Sequence, residues 1–135
     1  MVNKDLTRDY LERSRKRLLA VDLLYREKAY ADVVRESQEV VELCLKGLLR
    51  AFGIGVPAVH DVSETLKKNK RRFPVILQRR IAKLCEISRT LRKDREMAFY
   101  GTEDLTPSKF YSRNDAGAAR EMARTVVRAV SGALG

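Results

Sequence analysis

From Val33 to Phe52 the chain repeats apolar residues on a helical period: Val33, Val34, Val40, Val41, Cys44, Leu45, Leu48, Leu49 and Phe52, with Ser37 among them. A stripe this wide, kept up over about six turns, belongs to a helix that packs into a core. Glu42 and Lys46 add an i,i+4 pair in the favourable order. Gly53-Ile54-Gly55 and then Pro57 end the segment, glycine just past the helix and proline soon after. The pattern predicts a helix from about Tyr30 to Phe52.

Three further long segments carry the same signature. The first runs from about Asp5 to Lys28, with Leu11, Leu18, Val21 and Tyr25 on one face and Arg13, Arg15, Lys16 and Arg17 crowding its first half. Another runs from about Pro74 to Phe99, where Leu77, Ile81, Leu84, Ser88, Leu91, Arg95 and Ala98 fall at alternating steps of four and three. The last runs from about Asn114 to Ala133. Its inner face is Ala119, Met122, Ala123, Val126, Val127 and Val130; its outer face carries Arg120, Arg124 and Arg128, which read as solvent-facing charge. A short helix is expected from Asp61, since Asp61 and Glu64 have capping-box spacing. It should fray in the basic run Lys67-Lys68-Asn69-Lys70-Arg71-Arg72. Residues 101–112 read as a loop, and nothing reads as a strand. The expectation is one all-α domain over residues 1–135, an antiparallel bundle of four long helices plus one short helix.

Composition narrows the class. Apolar residues make up 44% of the chain and charged residues 34%. That is too much charge for a membrane protein and too much apolar content for a disordered one. No apolar run approaches the roughly 20 residues that span a bilayer, and the first residues do not resemble a secretory signal. A cytoplasmic protein is expected. Cys44 and Cys85 stand alone within helical segments and read as core residues. The net charge is +10 and the pI about 9.9, a surplus that favours polyanionic partners.

The chemically unusual residue is Arg95. It stands on the seam of the fourth segment where the neighbours except Ser88 are apolar. A guanidinium there needs a carboxylate such as Glu42, or an anion held in a cleft or subunit interface. Tyr100, five residues on, could reach the same cleft. Glu42, Lys46, His60 and Arg92 complete the candidate ligand-binding set. His60 is the single histidine, so two imidazoles from one chain are excluded, and it could equally tie the 53–60 loop to a neighbouring helix. No HExxH, His/Cys cluster, GxGxxG, GxxxxGK[ST] or GxSxG occurs, so neither metal nor cofactor is expected. Residues 67–95 hold twelve basic and two acidic residues, dense enough to suggest a polyanion-binding surface.

Taken together, several stretches resemble the HEPN domain family. They are Tyr30-Ala31-Asp32-Val33-Val34, Val41 through Leu49, Gly53, Pro57 and His60-Asp61; then Ser88-Arg89-Thr90-Leu91, Arg95 and Tyr100-Gly101; and the final helix with Asp115 and its alanines. The resemblance covers nearly the whole chain. It implies a bundle of four or five helices that forms a homodimer with its cleft between subunits. Prokaryotic members of this kind often pair with a small nucleotidyltransferase as a toxin–antitoxin module. The toxic members are metal-independent ribonucleases whose signature is arginine, four to six residues, then histidine. Arg95 matches the arginine, but Tyr100 stands near the place of the histidine, and no histidine follows His60. A tyrosine with a pKa of about 10 is a poor base at neutral pH. The expected function is therefore a non-catalytic module binding nucleotide or RNA. The alternative is an endoribonuclease using Arg95 and Tyr100; a plain helical interaction protein ranks third.

Overall fold

A computed structural model describes residues 4–100 and 106–134, with the side chains of all of these except 95–100. Four long helices are present: α1 (Lys4–Arg26), α2 (Tyr30–Ala51), α5 (Ile81–Tyr100) and α7 (Arg113–Leu134). Between α2 and α5 lie α3 (Ser63–Lys68), a single 3-10 turn (Lys70–Arg72) and α4 (Val75–Gln78); α6 (Pro107–Phe110) precedes α7. There is no strand among the described residues. Among the described residues no helix is long and apolar enough to cross a membrane.

The wide stripe of α2 explains the arrangement. Val33, Val34, Val40, Val41, Cys44, Leu45, Leu48 and Leu49 are all buried, because α1, α5 and α7 each pack against this helix. Each such aliphatic side chain contributes about 1.5–3 kcal/mol on leaving water. The connection from α1 to α2 is short, which makes the two antiparallel neighbours. Gly47 lets them approach closely: a Cβ built there would lie 2.8 Å from the Cβ of Tyr10. Both cysteines are buried and free, and burial pushes the Cys44 thiol up to about 12, so it stays protonated.

Two helix ends use one device. Past α2, the Gly53 amide donates to the Arg50 carbonyl at 3.0 Å and the Ile54 amide to the Leu49 carbonyl at 2.9 Å. This is a Schellman motif, with Gly53 at φ 67°. Past α1, Lys28 donates to Tyr25 at 3.1 Å and Ala29 to Leu24 at 2.9 Å. Here the left-handed position, φ 61°, is filled by lysine.

The structure departs from the sequence reading in three places. The helix expected from Pro74 to Phe99 is broken: α4 ends at Gln78 and α5 begins at Ile81. At the break Arg80 donates to the Leu77 carbonyl at 2.9 Å, a tight i→i−3 bond that turns the chain. Leu77, Ile81, Leu84 and Leu91 remain buried across it. The expected 101–112 loop contains α6, with Pro107 at its first turn. The expected capping box does not form. Instead of bonding Glu64, the Asp61 Oδ1 accepts the Ser63 amide at 3.0 Å, the Ser63 hydroxyl, and the Ser88 hydroxyl of α5 at 2.8 Å. A capping box is found at α7, where Asp115 accepts the Ser112 amide at 2.8 Å and Ser112 Oγ accepts the Asp115 amide at 3.2 Å.

Candidate functional site

Three of the candidate residues come together. Glu42 and Lys46 sit one turn apart on α2, and the loop after it brings His60 back to them. Glu42 Oε1 accepts from Gln38 Nε2 at 3.0 Å and from His60 Nδ1 at 2.8 Å, while Oε2 accepts from Lys46 Nζ at 3.1 Å. The Glu42 and Lys46 side chains keep 15% and 17% of their exposure and that of His60 keeps 49%. Burial works to raise the Glu42 carboxyl, but the bonds from Gln38, His60 and Lys46 and the Lys46 charge outweigh it and hold it below the ordinary carboxylate value. An ionised carboxylate can only accept, so His60 carries its proton on Nδ1 toward Glu42. Gln38 was not foreseen, although its place four residues before Glu42, itself four before Lys46, puts all three on one face.

The cluster borders a hollow of about 80 Å³, lined also by Arg13, Arg17 and Glu39. At roughly 30 Å³ per molecule this is space for two or three waters, far below the ~300 Å³ of the smallest usual ligand sites. The arrangement ties the 53–60 loop to α2, the structural one of the two roles open to His60. Asp61 continues the tie to α5 through Ser88. Burial works to raise the Asp61 carboxyl too; the Ser63 and Ser88 bonds and the Arg89 charge prevail, and it lies low. Ser88 precedes Tyr100 by twelve residues, about 18 Å of helix, so the loop bearing His60 meets α5 well before Tyr100.

Arg95 and Tyr100 lie in α5, and their side chains fall outside the described residues. Arg92 is half-buried on α5. Just before Arg95, Asp94 lines a cleft of about 280 Å³ with Phe110, Tyr111, Asp115 and Met122. The Tyr111 hydroxyl donates to the Asp94 carbonyl at 2.9 Å. Burial, with the Asp94 and Asp115 charges, pushes that phenol up to about 12. Two carboxylates make this cleft a poor host for phosphate.

The stripe Arg120, Arg124 and Arg128 divides. Arg120 Nε and Arg124 Nη2 both donate to Asp22 Oδ1 of α1, at 2.8 and 3.1 Å. Arg120 also lies 4.7 Å from the ring centre of Tyr25. These two, read from sequence as solvent-facing, are half-buried and latch α7 to α1; Arg128 alone is exposed.

The distribution of charge is more informative than any one residue. Residues 67–95 hold twelve basic and two acidic residues, an excess equal to the net charge of the whole chain, so the remainder is balanced. Ten of these twelve, from Lys67 to Lys93, are exposed. The ion pairs of Lys67 with Glu64 and of Lys83 with Glu86 are 3.8 Å long and in solvent, geometry that neutralises little. Among the described residues no three His, Cys, Asp or Glu side chains converge as a metal-binding group.

A search of curated proteins gave no match to this chain. A solved structure, that of TT1696 from Thermus thermophilus, has the same fold, with a TM-score of 0.74 and 24% identity over 93% of this chain and 96% of that one. The HEPN domain model matches residues 7–133, nearly the whole length. The chain therefore belongs to the HEPN domain family.

Proposed function

We propose that this HEPN protein is a non-catalytic, cytoplasmic module that binds RNA or nucleotides, acting as a homodimer beside a small nucleotidyltransferase in a toxin–antitoxin type of system. The observation that supports it is the segregation of the entire net charge into residues 67–95, with ten of the cations exposed. A balanced scaffold with one cationic segment is suited to phosphate backbones, whose binding is driven by counterion release. The sole imidazole is engaged by Glu42 in a loop fastened to the middle of α5. That leaves Tyr100, a poor base at neutral pH, near the place of the family's catalytic histidine. Arg95, with Arg92 a turn before it, supplies anion contact without cleavage.

The test is fluorescence anisotropy with a labelled single-stranded RNA across a salt series, with cleavage followed in EDTA. A slope of about −3 to −4 in log Kobs against log salt, the value for roughly five phosphate contacts, is expected, with intact RNA throughout. Converting Lys67, Lys68, Lys70 and Arg71 to glutamate should abolish the binding. Cleavage above an Arg95→Ala control would instead establish the endoribonuclease. Salt-independent or absent binding would remove the nucleic-acid reading, and a native purification that never yields a transferase subunit would remove the pairing.

A further inference from the structure

Between α4 and the C-terminal turns of α7 lies a groove of about 410 Å³. Leu77 and Ala129, both buried, form its floor. Arg80 and Arg128 stand along it, exposed, and neither guanidinium has a hydrogen-bond or ion-pair partner among the described residues. Ile76 on its wall and Val75 just outside it keep 69% and 63% of their surface in water. Adjacent exposed β-branched residues on a four-residue helix contribute nothing to the core, and continuous apolar surface with a charged border marks an interaction site.

We propose that this face docks an acidic amphipathic helix of a partner protein. The apolar surface runs on from Ile76, which lines the groove, to Val75 outside it, so a small molecule within the groove would leave Val75 bare. A helix laying its apolar stripe along the trough covers both. The lining includes two cations and no acid, so carboxylates flanking that stripe are selected and basic helices are repelled. Aliphatic side chains give nucleobases no ring to stack on, which sets the face apart from single-stranded RNA sites. Gly132 lines the groove at a point where a Cβ would meet nothing within 4 Å. A side chain added there starts in open space, clear of the core.

The experiment is anisotropy titration with two labelled helical peptides of one leucine pattern, their polar positions all glutamate in one and all lysine in the other. The glutamate peptide should bind and the lysine peptide should not. Arg80→Glu with Arg128→Glu, Ile76→Ser, and Gly132→Phe should each weaken binding by about tenfold or more, with helical circular dichroism unchanged. Gly132→Phe should leave RNA affinity intact, so failure here is distinct from failure of the nucleic-acid reading. Equal affinity for the two peptides, or a Gly132→Phe protein that binds like the wild type, overturns the proposal. So does loss of RNA binding in Gly132→Phe. A wild-type dimer that Ile76→Ser splits would give the face to a second copy and overturn it as well.

Discussion

Replacing Glu42 by glutamine keeps the size of the side chain, removes its charge and puts an amide donor where Oε2 accepts from Lys46, so Oε1 alone still accepts, from Gln38 and His60. In the wild type, Lys46 and His60 donate to an ionised carboxylate at 3.1 and 2.8 Å. Bonds to a charged acceptor contribute about 1.5–3 kcal/mol each and neutral ones about 0.5–1.5. With His60 half in water its share is the smaller, so the net loss at pH 7 should be about 1–2 kcal/mol. For a chain of this size that corresponds to a fall in Tm of roughly 4–8 °C. The pH dependence carries the sharper signature. The folded-state carboxyl of Glu42 lies below its ordinary value, so its contribution is present in full above about pH 4.3, the unfolded value. It is lost as pH falls through the lower folded value. Urea unfolding of both proteins between pH 7 and pH 3 should therefore show two midpoints that are well separated at neutrality and converge in acid. A constant gap across that range, or none at pH 7, would refute the claim that ionised Glu42 holds the loop.

Two other substitutions set local rules against packing. Alanine normally stabilises a helix by about 1 kcal/mol over glycine, but Gly47→Ala would press a Cβ to 2.8 Å from the Cβ of Tyr10, an atom fixed to the α1 backbone. Overpacking of this kind costs about 1–3 kcal/mol, so thermal melting should show Gly47→Ala less stable than wild type and Gly132→Ala, in open space, no less stable. Lys28→Gly should raise stability by about 0.5–1 kcal/mol, because the left-handed backbone at φ 61° is unfavourable for any side chain; an unchanged or lower urea midpoint would contradict this.

The long helices were legible because burial on one face writes a period into the chain, and α2, with partners on several sides, wrote the widest one. The same logic hid the break at Arg79-Arg80. The turn there keeps Leu77, Ile81 and Leu84 in the core, so apolar spacing runs through it unaltered. Lys28 was invisible for a related reason: no glycine announces its left-handed turn. Asp61 carried a true signal, a carboxylate poised before a helix, but its partner Ser88 is 27 residues away, and local spacing pointed to Glu64. The arginines at 120 and 124 read as surface charge because nothing in α7 reveals Asp22 on α1. Among the candidate site residues, Glu42 and Lys46 were joined by helical spacing, whereas the return of His60 to them is a tertiary fact. The groove by α4 had no sequence signature, since its two cations lie 48 residues apart.

The uneven placement of charge also bears on motion before contact. Opposing charges are matched through α1, α2 and α7, where Arg17 meets Glu36 at 2.7 Å and Asp22 takes two guanidinium groups; all the surplus lies in the segment from Lys67 to Arg95. A body whose surplus charge sits in one segment carries an electric dipole, and in the field of a polyanion it feels a torque as well as an attraction. The protein would therefore rotate while still a Debye length away, about 8 Å in physiological salt, and arrive with that segment already turned to its target.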